Sequence, residues 1–140
     1  MINQKDVIVM LIPFPNIWST LAVRNHMYIC MKEDRLHHEF VKCQTLKYDM
    51  LINSPINSFV DEQADITRNP FVHSTRIDCD KVFTTDSVVY SEDLLTDRRR
   101  NVSDDLFGDI QKKLNDNPFQ KIPLDEDDLV NLNYAIDWIF

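Results

Sequence analysis

With 140 residues, 44% of them hydrophobic and 27% charged, the chain has the composition of one globular domain, and it contains no apolar run of the length needed for a membrane-crossing helix. A formal net charge of −8 argues against broad nonspecific binding to nucleic acid, which requires clustered Lys and Arg to neutralise phosphates. The single glycine, Gly108, excludes the phosphate-cradling loops GxGxxG and GxxxxGK(S/T), which need several residues without a Cβ.

In chain order, KDVIVMLI is a β-branched run of buried-strand type that ends at the turn-forming PFPN. No basic leader with a small-residue cleavage site surrounds it, so the expected compartment is the cytosol. Residues 16–21 read as a loop; AVRNHMYICM then supplies a second strand, and KEDRL is a polar turn into a third, HHEFVKCQT. These three are expected to form an antiparallel meander. Between Leu46 and Pro70 the expectation is a short helix broken at Pro55, then an extended piece around Phe59 and Val60. FVHSTRIDCDKVFTTDSVVY holds one or two further strands, with Ile77, Cys79, Val82 and Phe83 inward.

NVSDDLFGDIQKKLN is predicted to be helical from its ends inward. Ser103 suits the N-cap, Asp104 and Asp105 lie at the positive end of the helix dipole, and Lys112 and Lys113 at the negative end. Leu106, Phe107, Ile110 and Leu114 then share one face. After the linker DNPFQKIP, LDEDDLVNLNYAIDWIF is predicted to be a second helix, with Leu129, Leu132, Ile136 and Ile139 in one stripe and Val130, Tyr134 and Trp138 in another. Residues 118–140 carry five acids against one lysine, so the division is a main domain over 1–117 and an acidic amphipathic helix over 118–140 packed on it.

Cys30, Cys43 and Cys79 are widely spaced in apolar contexts, without a CxxC pair, and read as core thiols. His37 and His38 are adjacent, so on a strand they point to opposite faces and do not share a metal; both are read as solvated. No metal or other cofactor is expected. Asp78 and Asp80 alternate on one face and are assigned structural hydrogen bonding.

The order of a strand, a loop leading to an arginine, further strands and a capped helix resembles the MazF/PemK/Kid family of toxin endoribonucleases. KDVIVMLIPFP is similar to that family's opening strand, with Lys5 where a glycine is usual; AVRNHMYIC sits where the family has an Arg-Pro strand, so Arg24 matches the arginine and Asn25 replaces the proline. EFVKCQTLK is similar to the strand ending in Thr or Ser, with Gln44 and Thr45 at the matching positions. IDCDKVFTTD and VSDDLFGDIQKKL resemble the last strand and the terminal helix. The resemblance spans residues 5–115 and implies an α+β protein, mainly β, built on a small SH3-like antiparallel barrel with a capped helix after the last strand. It further implies a homodimer, cleavage of single-stranded RNA without metal, and neutralisation by a small antitoxin.

Metal-free cleavage needs a base for the ribose 2′-OH, a cation for the charged phosphorane and an acid for the leaving 5′-oxygen. The resemblance assigns the cation to Arg24, whose planar fork suits phosphate. It assigns hydrogen bonding of the phosphate or 2′-OH to Thr45, with Gln44 beside it. His26, two residues after Arg24 and so on the same strand face, has the side chain for proton transfer near neutral pH. Trp18 is placed to stack on a base, and Arg98, Arg99 and Arg100 to track an RNA backbone. Two other classes fit the same features: a non-catalytic PemK-like module that binds a protein partner, consistent with the acidic charge, and a gyrase-poison-like toxin, whose Trp-Ile ending DWIF shares.

Overall fold

A computed structural model describes residues 1–12, 25–52 and 56–139. The fold is α+β and mainly β. Strand β1 (Val7–Met10) pairs antiparallel with β2 (His26–Asp34), and β2 with β3 (His37–Thr45). The expected polar turn shrinks to Arg35 and Leu36, because β2 and β3 continue through residues read as loop; Arg35 takes φ 59°, the left-handed conformation such a tight turn demands. A register shift between Cys30 and Lys32 marks a bulge in β2. Helix α1 (Tyr48–Ile52) and β4 (Phe59–Glu62) follow, where a short helix and an extended piece were expected.

The stretch from Phe71 to Tyr90 forms three strands rather than one or two: β5 (Thr75–Asp78), β6 (Lys81–Thr85) and β7 (Val88–Tyr90). β5 lies along the end of β3 and β6 along its beginning, so β3 is the hub of the sheet. The break between them falls at Asp80, whose carboxylate accepts the backbone N–H groups of Asn57 and Ser58, each at 2.7 Å. Helix α2 (Asp104–Asp116) begins as predicted, with the Ser103 hydroxyl accepting the Leu106 N–H.

The C-terminal segment departs from its predicted form. Gln120–Pro123, expected to be linker, is a strand, β8, running parallel to β6. The predicted helix begins with Asp125 as its N-cap but stops at Leu132, giving a two-turn α3 (Glu126–Leu132); Ile136–Trp138 is a strand, β9, antiparallel to β7. The Asn133 side chain ends the helix: its amide donates to the Leu129 and Leu11 carbonyls, each at 2.8 Å, while its oxygen accepts the Leu11 N–H at 2.8 Å. It thereby mimics a strand neighbour for the backbone of Leu11.

Two cores flank the main sheet, because alternate residues of each strand face opposite sides. Val7, Ile29, Val41, Cys43 and Ile77 pack under Leu106, Phe107 and Ile110 of α2. Ile8, Tyr28, Cys30 and Phe40 pack against Val88, Tyr90, Leu129 and Ile136 from the C-terminal layer. All three cysteines are buried free thiols, with burial pushing Cys30 and Cys79 up to about 12. Among the described residues the main sheet is open, without the closure of the expected barrel, and no helix is long and apolar enough to cross a membrane.

Candidate active site

Across the strand order β1, β2, β3, β5, β4 the registers align side chains in rows. On the face of the second core one row runs Ile8, Tyr28, Lys42, Asp78, Phe59 and the next Met10, His26, Gln44, Arg76, Asp61. The apolar face therefore turns polar toward the end of the sheet: along β3, buried Phe40 is succeeded on the same side by Lys42 and then Gln44.

Asp78 is the partly buried carboxylate of this polar end. The Gln44 amide nitrogen donates to both of its oxygens, at 3.0 and 2.9 Å. Burial pushes the carboxyl up to about 6, against the lowering effect of the Gln44 hydrogen bond and the Lys42 ammonium. Burial in turn holds Lys42 below its ordinary range. Arg76 has a bracing role: its guanidinium takes both Asp61 oxygens at 2.8 and 2.9 Å, donates to the Met50 carbonyl at 3.0 Å and lies over the Phe59 ring at 3.6 Å. It ties β5 to β4 and α1, and is 2% exposed. The Tyr28 hydroxyl is buried with no hydrogen-bond partner among the described residues, and burial raises its pKa.

At the sheet end a pocket of about 210 Å³ is lined by Asn25, His26, Gln44, Thr45, His73 and Thr75, among others. Thr45 and Gln44 are consecutive, so their side chains leave opposite faces of β3 and the pocket straddles the strand end. The pocket shares Asn25, Met27 and Val72 with a trough of about 630 Å³ that runs to Arg98 and to Leu132–Ala135, the turn between α3 and β9.

His26, Gln44 and Thr45, expected from the sequence, thus meet in one pocket. Arg24 and Trp18 lie outside the described residues; Arg24 precedes His26 by two positions. Arg98, Arg99 and Arg100 diverge. Arg98 is exposed in the trough, whereas Arg99 donates to Asn101 and Ile66 and Arg100 grips buried Asp6 through two bonds of 3.0 and 2.7 Å, so the latter two are structural ties. Asp78 and Asp80 both have the structural hydrogen bonds expected of them.

The adjacent histidines do face opposite ways, but His38 is not solvated: it is 5% exposed and packs on Phe40 and Tyr90, because its side of β3 is the second core. His37 sits between Glu39 at 2.8 Å and Asp86 at 2.6 Å, and these carboxylates raise its pKa. Sequence reasoning missed His73 and the partial burial of Lys42 and Asp78. The available signal was the alternation of VKCQ and RID, in which Lys42 with Gln44 and Arg76 with Asp78 mark a polar face opposite buried Val41, Cys43 and Ile77. No known protein-family model matches the chain, and no curated protein matches it significantly.

Proposed function

We propose that the chain is a toxin-like, metal-independent endoribonuclease that cleaves single-stranded RNA by 2′-OH attack, related to the MazF/PemK/Kid family and its SH3-like barrel. On this reading it works in the cytoplasm as a homodimer held in check by a small antitoxin. The observation that carries it is the polar sheet end, where Asp78, a partly buried carboxylate that burial pushes up to about 6, shares one face with His26 directly after the arginine-bearing segment. Lys5 adds support. Its φ of 79° is the left-handed conformation that favours the glycine usual at this position of the family.

The chemistry follows from these groups. Asp78, ionised above its raised pKa, withdraws the 2′-OH proton as the oxygen attacks phosphorus. Arg24 compensates the charge on the phosphorane, Thr45 hydrogen-bonds a phosphate oxygen, and His26 donates a proton to the departing 5′-oxygen. The products are a 2′,3′-cyclic phosphate and a 5′-hydroxyl. The trough beyond Asn25, with Arg98 at its side, gives a path for the flanking nucleotides.

Purified protein incubated with a long single-stranded RNA in EDTA is expected to cut it, with Arg24→Ala, His26→Ala and Asp78→Asn each slowing cleavage by roughly 100-fold or more. Cleavage unchanged in all three variants would reject these roles. Intact RNA at high protein concentration would favour the non-catalytic binding module.

A further inference from the structure

We infer that Gln44 is a positioning residue, which holds the Asp78 carboxylate in place and in its ionised form through the paired contacts of its amide nitrogen, rather than a direct ligand of the RNA phosphate. The inference deepens the function proposed above and rests on it for its catalytic consequence. The geometry is specific. One N–H-bearing nitrogen lies 3.0 and 2.9 Å from the two carboxylate oxygens, with Gln44 on β3 and Asp78 on β5. An amide donor favours the charged form, whereas the partly buried setting favours the neutral one.

The other groups around Asp78 are Lys42 on β3, Tyr28 on β2, Arg76 on its own strand, Asp80 just beyond it, and the thiols of Cys43 and Cys79. Arg76 is committed to Asp61 and the Met50 carbonyl. Gln44 donates to both oxygens of Asp78, and Lys42 acts on the same carboxylate through its charge.

The test is a carbon-detected NMR titration of the Asp78 carboxyl in the full chain, in wild type and in Gln44→Met, which keeps length but removes the donor. The midpoint is expected to rise by about one unit in Gln44→Met, and the acid limb of the RNA-cleavage profile to move up with it, so that activity lost near pH 6 returns at pH 8. Gln44→Glu supplies a second reading should the first variant fold poorly: a carboxylate placed against Asp78 should raise the midpoint further and split it into two steps. An Asp78 midpoint that is the same in wild type and variant would overturn the inference. So would a rise in KM at every pH with an unshifted limb, the pattern of a lost phosphate contact. If the wild-type protein cleaves no RNA, the proposed function fails, while the titration still decides what Gln44 does to Asp78.

Discussion

Asp78 has a folded pKa raised from 3.8 to about 6 by burial, which makes the sign of its effect on stability opposite to that of a salt-bridged carboxylate. Below about pH 3 it is neutral in both folded and unfolded states and costs nothing. As the pH rises through the window from 3.8 to about 6 the unfolded chain loses the proton first, so stability falls, and above that window the full cost persists. At about 1.4 kcal/mol per unit, the cost is on the order of 3 kcal/mol. Asp78→Asn keeps an oxygen that can accept the Gln44 amide and removes the charge. Denaturant unfolding is therefore expected to show it more stable than wild type at pH 7 to 8, by up to about 3 kcal/mol, with the difference vanishing below about pH 3. A variant no more stable at pH 7 than wild type would contradict the burial of a charged carboxylate assigned here. On the proposed function, such a cost would fit a group whose environment is tuned for proton transfer rather than for folding.

Among the elements, those whose side chains carry their own burial pattern were legible in the sequence. β1 and the cores of β2 and β3 follow apolar runs and alternation, and α2 announces itself through Ser103, two acids and a stripe ending in Ile110 and Leu114. β8 was not legible, since its four residues are mostly exposed and join the sheet through backbone pairing to β6, which leaves no apolar signature. The overlong helix predicted over residues 124–140 has a different cause. Its apolar residues fit a helical period but equally supply a turn and a short strand, and the decision falls to a tertiary contact, Asn133 with Leu11. Tyr134, placed by the helical pattern in an apolar stripe, is 95% exposed in the turn. Asn133→Ala should strip Leu11 of both backbone partners and cost roughly 1–3 kcal/mol, measurable as a lowered urea midpoint at unchanged slope. A midpoint equal to wild type would mean that the Leu11 contact is not what ends the helix.

At the scale of the whole molecule, the acidic C-terminal segment is part of the second core rather than an appendage. Leu129 and Ile136 are 0% and 1% exposed, and with Val88 and Tyr90 they cover Phe40 and Tyr28. Burying two such side chains contributes about 1.5–3 kcal/mol each, a large share of the stability of a domain this size. Deletion of residues 118–140 is thus expected to abolish the cooperative thermal transition and expose apolar surface to dye binding; a truncated chain that melts cooperatively would contradict this. The candidate site was partly legible from sequence: Gln44 and Thr45 came from a resemblance in the order of motifs and His26 from its spacing to Arg24, which lies outside the described residues, while Lys42, His73 and Asp78 required the strand registers and the pocket that set them near those three. Single-sequence alternation shows which residues share a face of one strand, but not which strand lies next to it. The central claim, an RNA-cleaving site at the polar sheet end, is tested most directly by the chemistry of the ends it would leave. Single-stranded RNA incubated with the protein in EDTA should yield fragments with 2′,3′-cyclic phosphate and 5′-hydroxyl termini, absent with Arg24→Ala. Uncut RNA, or fragments ending in 3′-hydroxyl and 5′-phosphate, would contradict it.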